Sequence, residues 1–336
     1  MGGGGAYYQR AMRQHPLLEP SRLRELTAEA RDHLRELTAE ARDHLRELPA
    51  GIARRSLPRE LDPAALARIR AQRIADVTPG ADPSGESRPR IVIVGGQQGS
   101  GKTSVQKQVF AAMPRGSVFY DGDDTATLHP DYAAVMRADD VTGHGIIAET
   151  LPVHTACMEH VRAHGFSLAA SHPLGRVEWA RAWVDGFRAA GCHVTAALLA
   201  VPSAASLLGA ADRYQRSRDQ QGFGRWVRTE QHDESYAGLS DVAHDLETGG
   251  HVDALYVLSR SGAVTHANQL GGDGRMRGAA GVARALAAER ERARTAAEVR
   301  DFSARLAGLR DTAAHAASVP EWVLEAAADA EERAAR

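Results

Sequence analysis

Gly96-Gln97-Gln98-Gly99-Ser100-Gly101-Lys102-Thr103 has the residue types and spacing of a phosphate cradle: Gly, four residues, then Gly-Lys-Thr. Glycines let the backbone aim its N–H groups inward, and a helix N-terminus directly behind them adds partial positive charge. The expected chemistry is binding of a nucleoside triphosphate, with Lys102 on the β- and γ-phosphates and the Thr103 hydroxyl on Mg²⁺. Lysine occurs only at 102 and 107 in a chain that otherwise carries its positive charge as arginine. One of the two therefore stands where the loop needs a compact ammonium.

Downstream, Tyr120-Asp121-Gly122-Asp123-Asp124-Thr125 crowds three carboxylates into one turn. Phosphoryl transfer to a hydroxyl needs one carboxylate to take the acceptor's proton and another to hold the metal, directly or through water. If strand geometry continues through this turn, Asp121 and Asp123 share a side and either can serve; Asp124 or Thr125 reads as a helix N-cap. Farther on, Asp212 to Arg218 leads into Gly222-Phe223-Gly224-Arg225-Trp226-Val227-Arg228, a dense arginine segment with glycines that reads as a lid over the phosphates.

These residues need a scaffold that presents them together. Arg90 to Gly95 is a β-branched run suited to a buried parallel strand, and Ser104 to Met113 reads as the helix after the loop. Further strands are expected at 117–120, 166–170, 194–201 and 254–258, with helical patterns between them. Alternation of this kind implies an α/β fold: a doubly wound parallel sheet of about five strands, with ligands outside the carboxyl ends of the strands. A helix is expected from Pro58 to Ile74, followed by a turn-rich linker at 78–87. The expected organisation is an N-terminal helical extension and linker over 1–88, a kinase domain over 89–270 and a C-terminal helical extension over 271–336.

Residues 23–33 and 34–44 are the same eleven residues, and Leu45 to Leu48 begins a third copy. Their leucines and alanines draw an apolar stripe along one long helix, which calls for a partner face. That face packs on its own domain, self-associates, or covers the nucleotide site as a cis-inhibitory arm.

The net charge is −2 with 25% charged residues, which excludes a general nucleic-acid or membrane-surface binder. The first residues lack a signal-peptide pattern, Ala6 breaks the myristoylation pattern, and apolar runs are too short to span a bilayer. Cys157 and Cys192 form no Cys-x-x-Cys pair, which fits apolar fillers in a reducing, cytoplasmic setting. His160 and His164, one helical turn apart, lack the glutamate and third ligand of a zinc site. Trp179 and Trp183, also one turn apart, read as helix packing or as a stacking surface for an acceptor.

Taken together, residues 89–270 resemble the zeta toxin family of P-loop kinases. Gly95 to Ser104 is similar to that family's Gly-Gln-Pro-Gly-x-Gly-Lys-Thr loop, with Gln98 where proline is usual. Asp121-Gly122-Asp123 followed by His129-Pro130 looks like its Asp-x-Asp segment and His-Pro. Arg213-Tyr214, and Arg225 seven residues before His232-Asp233, match its lid arginines.

The resemblance implies a P-loop kinase that uses ATP and Mg²⁺ to phosphorylate a hydroxyl of a UDP-amino sugar such as UDP-N-acetylglucosamine, within a toxin–antitoxin system. It places nucleotide on Gly96, Gln97, Gln98, Gly99, Ser100, Gly101, Lys102, Thr103 and Ser104, and Mg²⁺ on Thr103 and Asp121. Catalysis falls to Lys102, Asp123, Arg213 and Arg225. An antitoxin or the N-terminal helix is the implied partner.

The acceptor half departs from the family. Ser171-His172 stands where the family carries glutamate after the third strand, and Thr155 stands near a second glutamate position, with Glu149 and Glu159 only nearby. The alternatives are a small-molecule or antibiotic phosphotransferase of the same type, and a nucleotide-dependent regulatory module.

Overall fold

The computed structural model describes residues 61–78, 87–138, 143–225, 227–315 and 319–335. The eleven-residue repeat and Trp226 lie outside them.

Helix α1 (Pro63–Val77) starts on a matched pair of signals: Asp62 accepts from the Ala65 N–H at 2.7 Å, and proline occupies the first helical position. Its inward face is Ile69, Arg73 and Val77, a four-residue spacing in which one member is an arginine. Strand β1 (Arg90–Gly95) feeds the glycine loop and helix α2 (Lys102–Ala111). Then come β2 (Val118–Asp121), the short helices α3 (Asp123–Ala126) and α4 (Tyr132–Ala138), and α5 (Gly143–Ala163). The chain continues through β3 (Leu168–His172), α6 (Val177–Ala189), β4 (His193–Leu199), α7 (Ser203–Gln221) and α8 (Thr229–Thr248). It finishes with β5 (Ala254–Leu258), β6 (Val264–Gln269), α9 (Val282–Glu291), α10 (Ala296–His315) and α11 (Glu321–Ala335).

The six strands form one sheet in the order β2-β3-β1-β4-β5-β6. The first five are parallel, as the sequence led us to expect; β6 adds an antiparallel edge that no apolar run announced. Its alternation is faint because only Asn268 of its six residues is buried. The tight return through Gly262, at φ +89°, is what brings it back against β5.

Strand residues divide by alternation. Ile91, Ile93, Val194, Ala196 and Leu198 face a large core shared with α1, α5, α6, α8 and α9. Val94, Ala197 and Leu199 face a smaller core with Val105 of α2. A third cluster seats α10 and α11 on α7 through Leu207, Leu208, Phe302 and Val323. Cys157 and Cys192 are buried in the large core.

Because β1 leads into α2 on one face and β3 into α6 on the other, a crevice opens at the carboxyl ends of these adjacent strands. Gly95 sits opposite His172 there, and Ser171 opposite Asp121.

Candidate active site

The phosphate loop leaves β1 and turns directly into α2. Gly101 caps that helix at φ +97°, a conformation glycine adopts without strain. Gly99, at φ +72°, packs so tightly on α7 that a Cβ there would lie 1.9 Å from the Ser206 carbonyl oxygen. The helix therefore starts at Lys102, two residues earlier than its apolar pattern suggests, and aims its N-terminal N–H groups into the loop.

Lys102 Nζ donates to the Gly96 and Gln97 carbonyls at 2.6 and 2.9 Å. Burial, reinforced by Arg213, lowers the Lys102 ammonium to about 7, against the opposing pull of Asp123 and Asp121. Ser100 Oγ and Gln98 Oε1 are buried without a hydrogen-bond partner among the described residues. Thr103 and Ser104 are exposed at the start of α2. Loop glycines, a helix N-terminus, an ammonium and the unpartnered Ser100 hydroxyl fit a triphosphate, and a threonine hydroxyl at the helix start is of a type that fits Mg²⁺.

The acidic corner differs from the simple strand extension. β2 stops at Asp121, and α3 begins at Asp123 with Gly122 as its N-cap, so the two carboxylates stand on different elements. Asp124 and Thr125 lie inside α3 rather than capping it. The Asp123 N–H donates to Asp121 Oδ1 at 3.1 Å, which folds the second carboxylate over the strand end.

Arg225 is ion-paired with Asp123. Partial desolvation by the surrounding protein would raise the Asp123 carboxyl, but Arg225, Arg213 and Lys102 together hold it below the ordinary carboxylate value. Asp121 is shifted the other way, upward, by burial and by the charge of Asp123. Arg213, on α7, is shifted down by burial and by Arg225. For Arg225 itself, burial is outweighed by Asp123 and the guanidinium shifts up. Lys102, Asp121, Asp123, Arg213 and Arg225 are close enough that each feels the charge of several others. Of the lid glycines, Gly222 ends α7 at φ +82° and Gly224 packs against Tyr214, where a Cβ would lie 2.6 Å from the backbone oxygen.

Arg73 carries no motif, yet it organises this corner. Its guanidinium donates to the Asp121 carbonyl at 2.6 Å and to Thr125 Oγ1 at 3.2 Å, and lies 4.9 Å over the Tyr120 ring. The Tyr120 hydroxyl bonds Thr125 Oγ1 at 3.1 Å and His154 Nδ1 at 2.7 Å. The available signal was its spacing, because Arg73 interrupts the buried stripe between Ile69 and Val77.

At the carboxyl end of β3, His172 Nδ1 accepts from the Leu174 N–H at 3.1 Å, which fixes the neutral tautomer with its proton on Nε2. Burial, with His154 and Lys102 adding, lowers His172 to about 3; burial and Arg73 lower His154 to about 4. Trp183 lies between the two imidazoles, with ring centroids 5.1 Å from His154 and 5.4 Å from His172. It also belongs to the main core, while Trp179 meets His172 edge-on at 6.2 Å beneath Arg176. The Thr155 hydroxyl bonds its own helix at Leu151, and Glu159 is exposed; the side chain of Glu149 lies outside the described ones. His160 and His164 stack on each other at 4.1 Å beside Phe166.

The family model for the zeta toxin matches residues 72–270, more than half of the chain. No curated protein matches significantly. Among solved structures, a chain from the PezAT chromosomal toxin–antitoxin system of Streptococcus pneumoniae is similar in fold: TM-score 0.62, 18% identity, 75% of this chain and 97% of that one covered. A structure of AvrRxo1-ORF1:AvrRxo1-ORF2 with sulphate ions matches at TM-score 0.45 and 13% identity, over 80% of this chain and 84% of that one. With the loop, the acidic corner and the parallel sheet in place, the chain belongs to the zeta toxin family of P-loop, kinase-like phosphotransferases.

Proposed function

We propose that this protein transfers the γ-phosphoryl group of ATP to a hydroxyl of a UDP-amino sugar, UDP-N-acetylglucosamine being the first acceptor to try. The observation that carries the reading is the meeting of Arg225, Arg213 and Lys102 around Asp123, just beyond the carboxyl end of β2. Gly96 to Ser104 hold the nucleotide, and Thr103 and Asp121 hold Mg²⁺. When bound, the metal supplies positive charge to the phosphate oxygens and fixes their orientation.

Asp123 is a carboxylate at neutral pH and accepts the acceptor hydroxyl's proton. The freed oxygen forms a bond to the γ-phosphorus as the bond to the β–γ bridging oxygen breaks, and ADP leaves. Arg225 lets go of Asp123 as it turns to the transferred group, and Arg213 and Lys102 share the charge that develops there.

A second acceptor class, a small molecule without the sugar nucleotide, draws support from the two neutral imidazoles at the acceptor side. The His172 Nε2–H group offers a hydrogen-bond donor where a glutamate would offer acceptors. The toxin–antitoxin setting of the structural neighbour supports an antitoxin partner as well. Among the described residues no helix is long and apolar enough to cross a membrane, and we propose action in the cytoplasm. The unit to express includes α1, because Arg73 holds the Asp121 carbonyl.

Incubation with ATP, Mg²⁺ and UDP-N-acetylglucosamine, read by mass spectrometry, tests the proposal. A phosphorylated sugar nucleotide supports it. Phosphorylation of another molecule from a metabolite extract keeps the kinase and moves the acceptor; transfer to nothing, with ATP bound, supports a regulatory module.

A further inference from the structure

Gln97 lies within the phosphate loop, is fully buried, and has both ends of its side-chain amide held from outside the loop. Its Nε2 donates to the Val201 carbonyl at 2.8 Å and to Ser206 Oγ at 3.0 Å. Arg290 of α9 donates to its Oε1 at 3.4 Å. Its own backbone carbonyl receives Lys102 Nζ at 2.9 Å, so whatever fixes Gln97 fixes the loop's ammonium too.

Beyond Ser206 the bonds run on in one direction. Ser206 Oγ is 2.8 Å from His232 Nε2, and His232 Nδ1 is 2.9 Å from Asp233 Oδ1. Arg333 of α11 grips Asp233 with a fork at 2.6 and 2.8 Å and bonds Asp329 at 2.7 Å. Asp233 ionised is an acceptor only, so the imidazole proton sits on Nδ1 and Nε2 accepts from the Ser206 hydroxyl. Ser206 in turn accepts from the Gln97 amide. Each donor thus has its acceptor from the loop to the carboxylate.

A serine, a histidine and an aspartate in this order suggest a nucleophile relay, but Ser206 and His232 are fully buried and the serine oxygen already faces the Gln97 amide. The chain is a tether.

Its far ends are anchored. The Tyr214 and Trp322 rings join α7 to α11 at 4.4 Å, and Ala327 and Ala330 are buried against α7. Glu247 accepts from the Gly281 and Val282 N–H groups at 2.9 and 3.0 Å, which pins the start of α9. Arg290 lies 3.9 Å over the Tyr236 ring.

We propose that α9 and α11, both beyond the family-matched segment, clamp the phosphate loop through Gln97, with Arg290, Ser206, His232 and Arg333 as positioning residues for the nucleotide phosphates. Only the link to phosphates rests on the nucleotide reading; the fixing of the loop is a property of the chain itself.

Hydrogen–deuterium exchange on the full chain tests this, comparing the unaltered protein with Arg333→Met and Ser206→Ala, with ATP and Mg²⁺ titrated by calorimetry in parallel. Amides 96–101 are expected to exchange roughly three- to tenfold faster in each variant while β3 and β4 stay unchanged, and the ATP Kd is expected to rise by a similar factor. The double variant should match the single ones rather than multiply them, because either change breaks the same chain. Unchanged loop exchange, faster exchange spread equally over the strands, or multiplying effects would each overturn the clamp. Faster loop exchange in a protein that binds no ATP upholds the clamp and removes the nucleotide reading.

Discussion

Arg225 is ion-paired with Asp123, so the carboxylate we propose as the base is held by the guanidinium we propose for the transferred phosphoryl group. The pairing keeps Asp123 ionised against the desolvation imposed by the protein around it.

Two variants separate these roles. Asp123→Asn should lower the transfer rate by about 10²–10⁴-fold with ATP binding retained. In Arg225→Gln the desolvation of Asp123 loses its main opponent, so the acid limb of kcat/KM moves up from below the ordinary aspartate value of ~3.9. A pH–rate profile of both proteins checks this, and an unmoved limb would remove Asp123 as the base.

Lys102 sits at about 7 before any phosphate is bound. An anionic ligand favours the ammonium, so above pH 7 binding of ATP should take up a proton and weaken as pH rises. Calorimetry at pH 8 in buffers of different ionisation enthalpy measures the uptake, and Lys102→Met should abolish it along with most of the affinity. The sign for stability is the reverse. The unfolded chain, with its lysine near 10.4, holds more protons between pH 7 and 10.4, so this group's contribution to stability rises across that window.

His172 and His154 are lowered to about 3 and about 4, so both stay neutral across the working range. The unfolded chain protonates them near pH 6.5, so their contribution is complete above that value and is lost as pH falls toward 4 and 3. Equilibrium unfolding of His172→Gln against pH should show a shallower acid slope than the unaltered chain. For catalysis, His172→Ala should raise the acceptor KM roughly tenfold through the loss of one buried hydrogen bond, leaving the ATP KM unchanged. An unchanged acceptor KM would place the acceptor elsewhere.

Arg73→Met should cost about 1–3 kcal/mol by removing the guanidinium that donates to the Asp121 carbonyl and to Thr125 Oγ1. If its service is to hold the acidic corner, single-turnover transfer falls more than ATP affinity does. Thermal unfolding and rapid-quench measurements on the same preparation distinguish that from a uniform loss.

Much of this was legible along the chain because it depends on neighbours in sequence. The Gly-x4-Gly-Lys-Thr loop, the β-branched run before it and the helix after it are local, and their spacing alone implied a phosphate site at a strand end. Alternating strand and helix patterns likewise implied the parallel sheet. Arg213 and Arg225 stood out by their density and their fit to a known family pattern.

Tertiary structure decided what packs against those segments. Arg73 is one arginine among many until burial selects it. The strand that ends at Asp121 and the helix that begins at Asp123 separate two carboxylates that simple alternation put together. His154 and His172 are ordinary histidines in sequence, and desolvation in a shared cluster keeps them neutral. Gln97 and Arg333 are more than two hundred positions apart in the chain and are joined by hydrogen bonds that require α7, α8 and α11 to be docked. Sequence by itself determined the phosphate loop and the sheet that carries it, because backbone conformation and periodicity are short-range. The environment of each charge was decided by the fold, because desolvation and pairing depend on groups that meet only when distant elements pack.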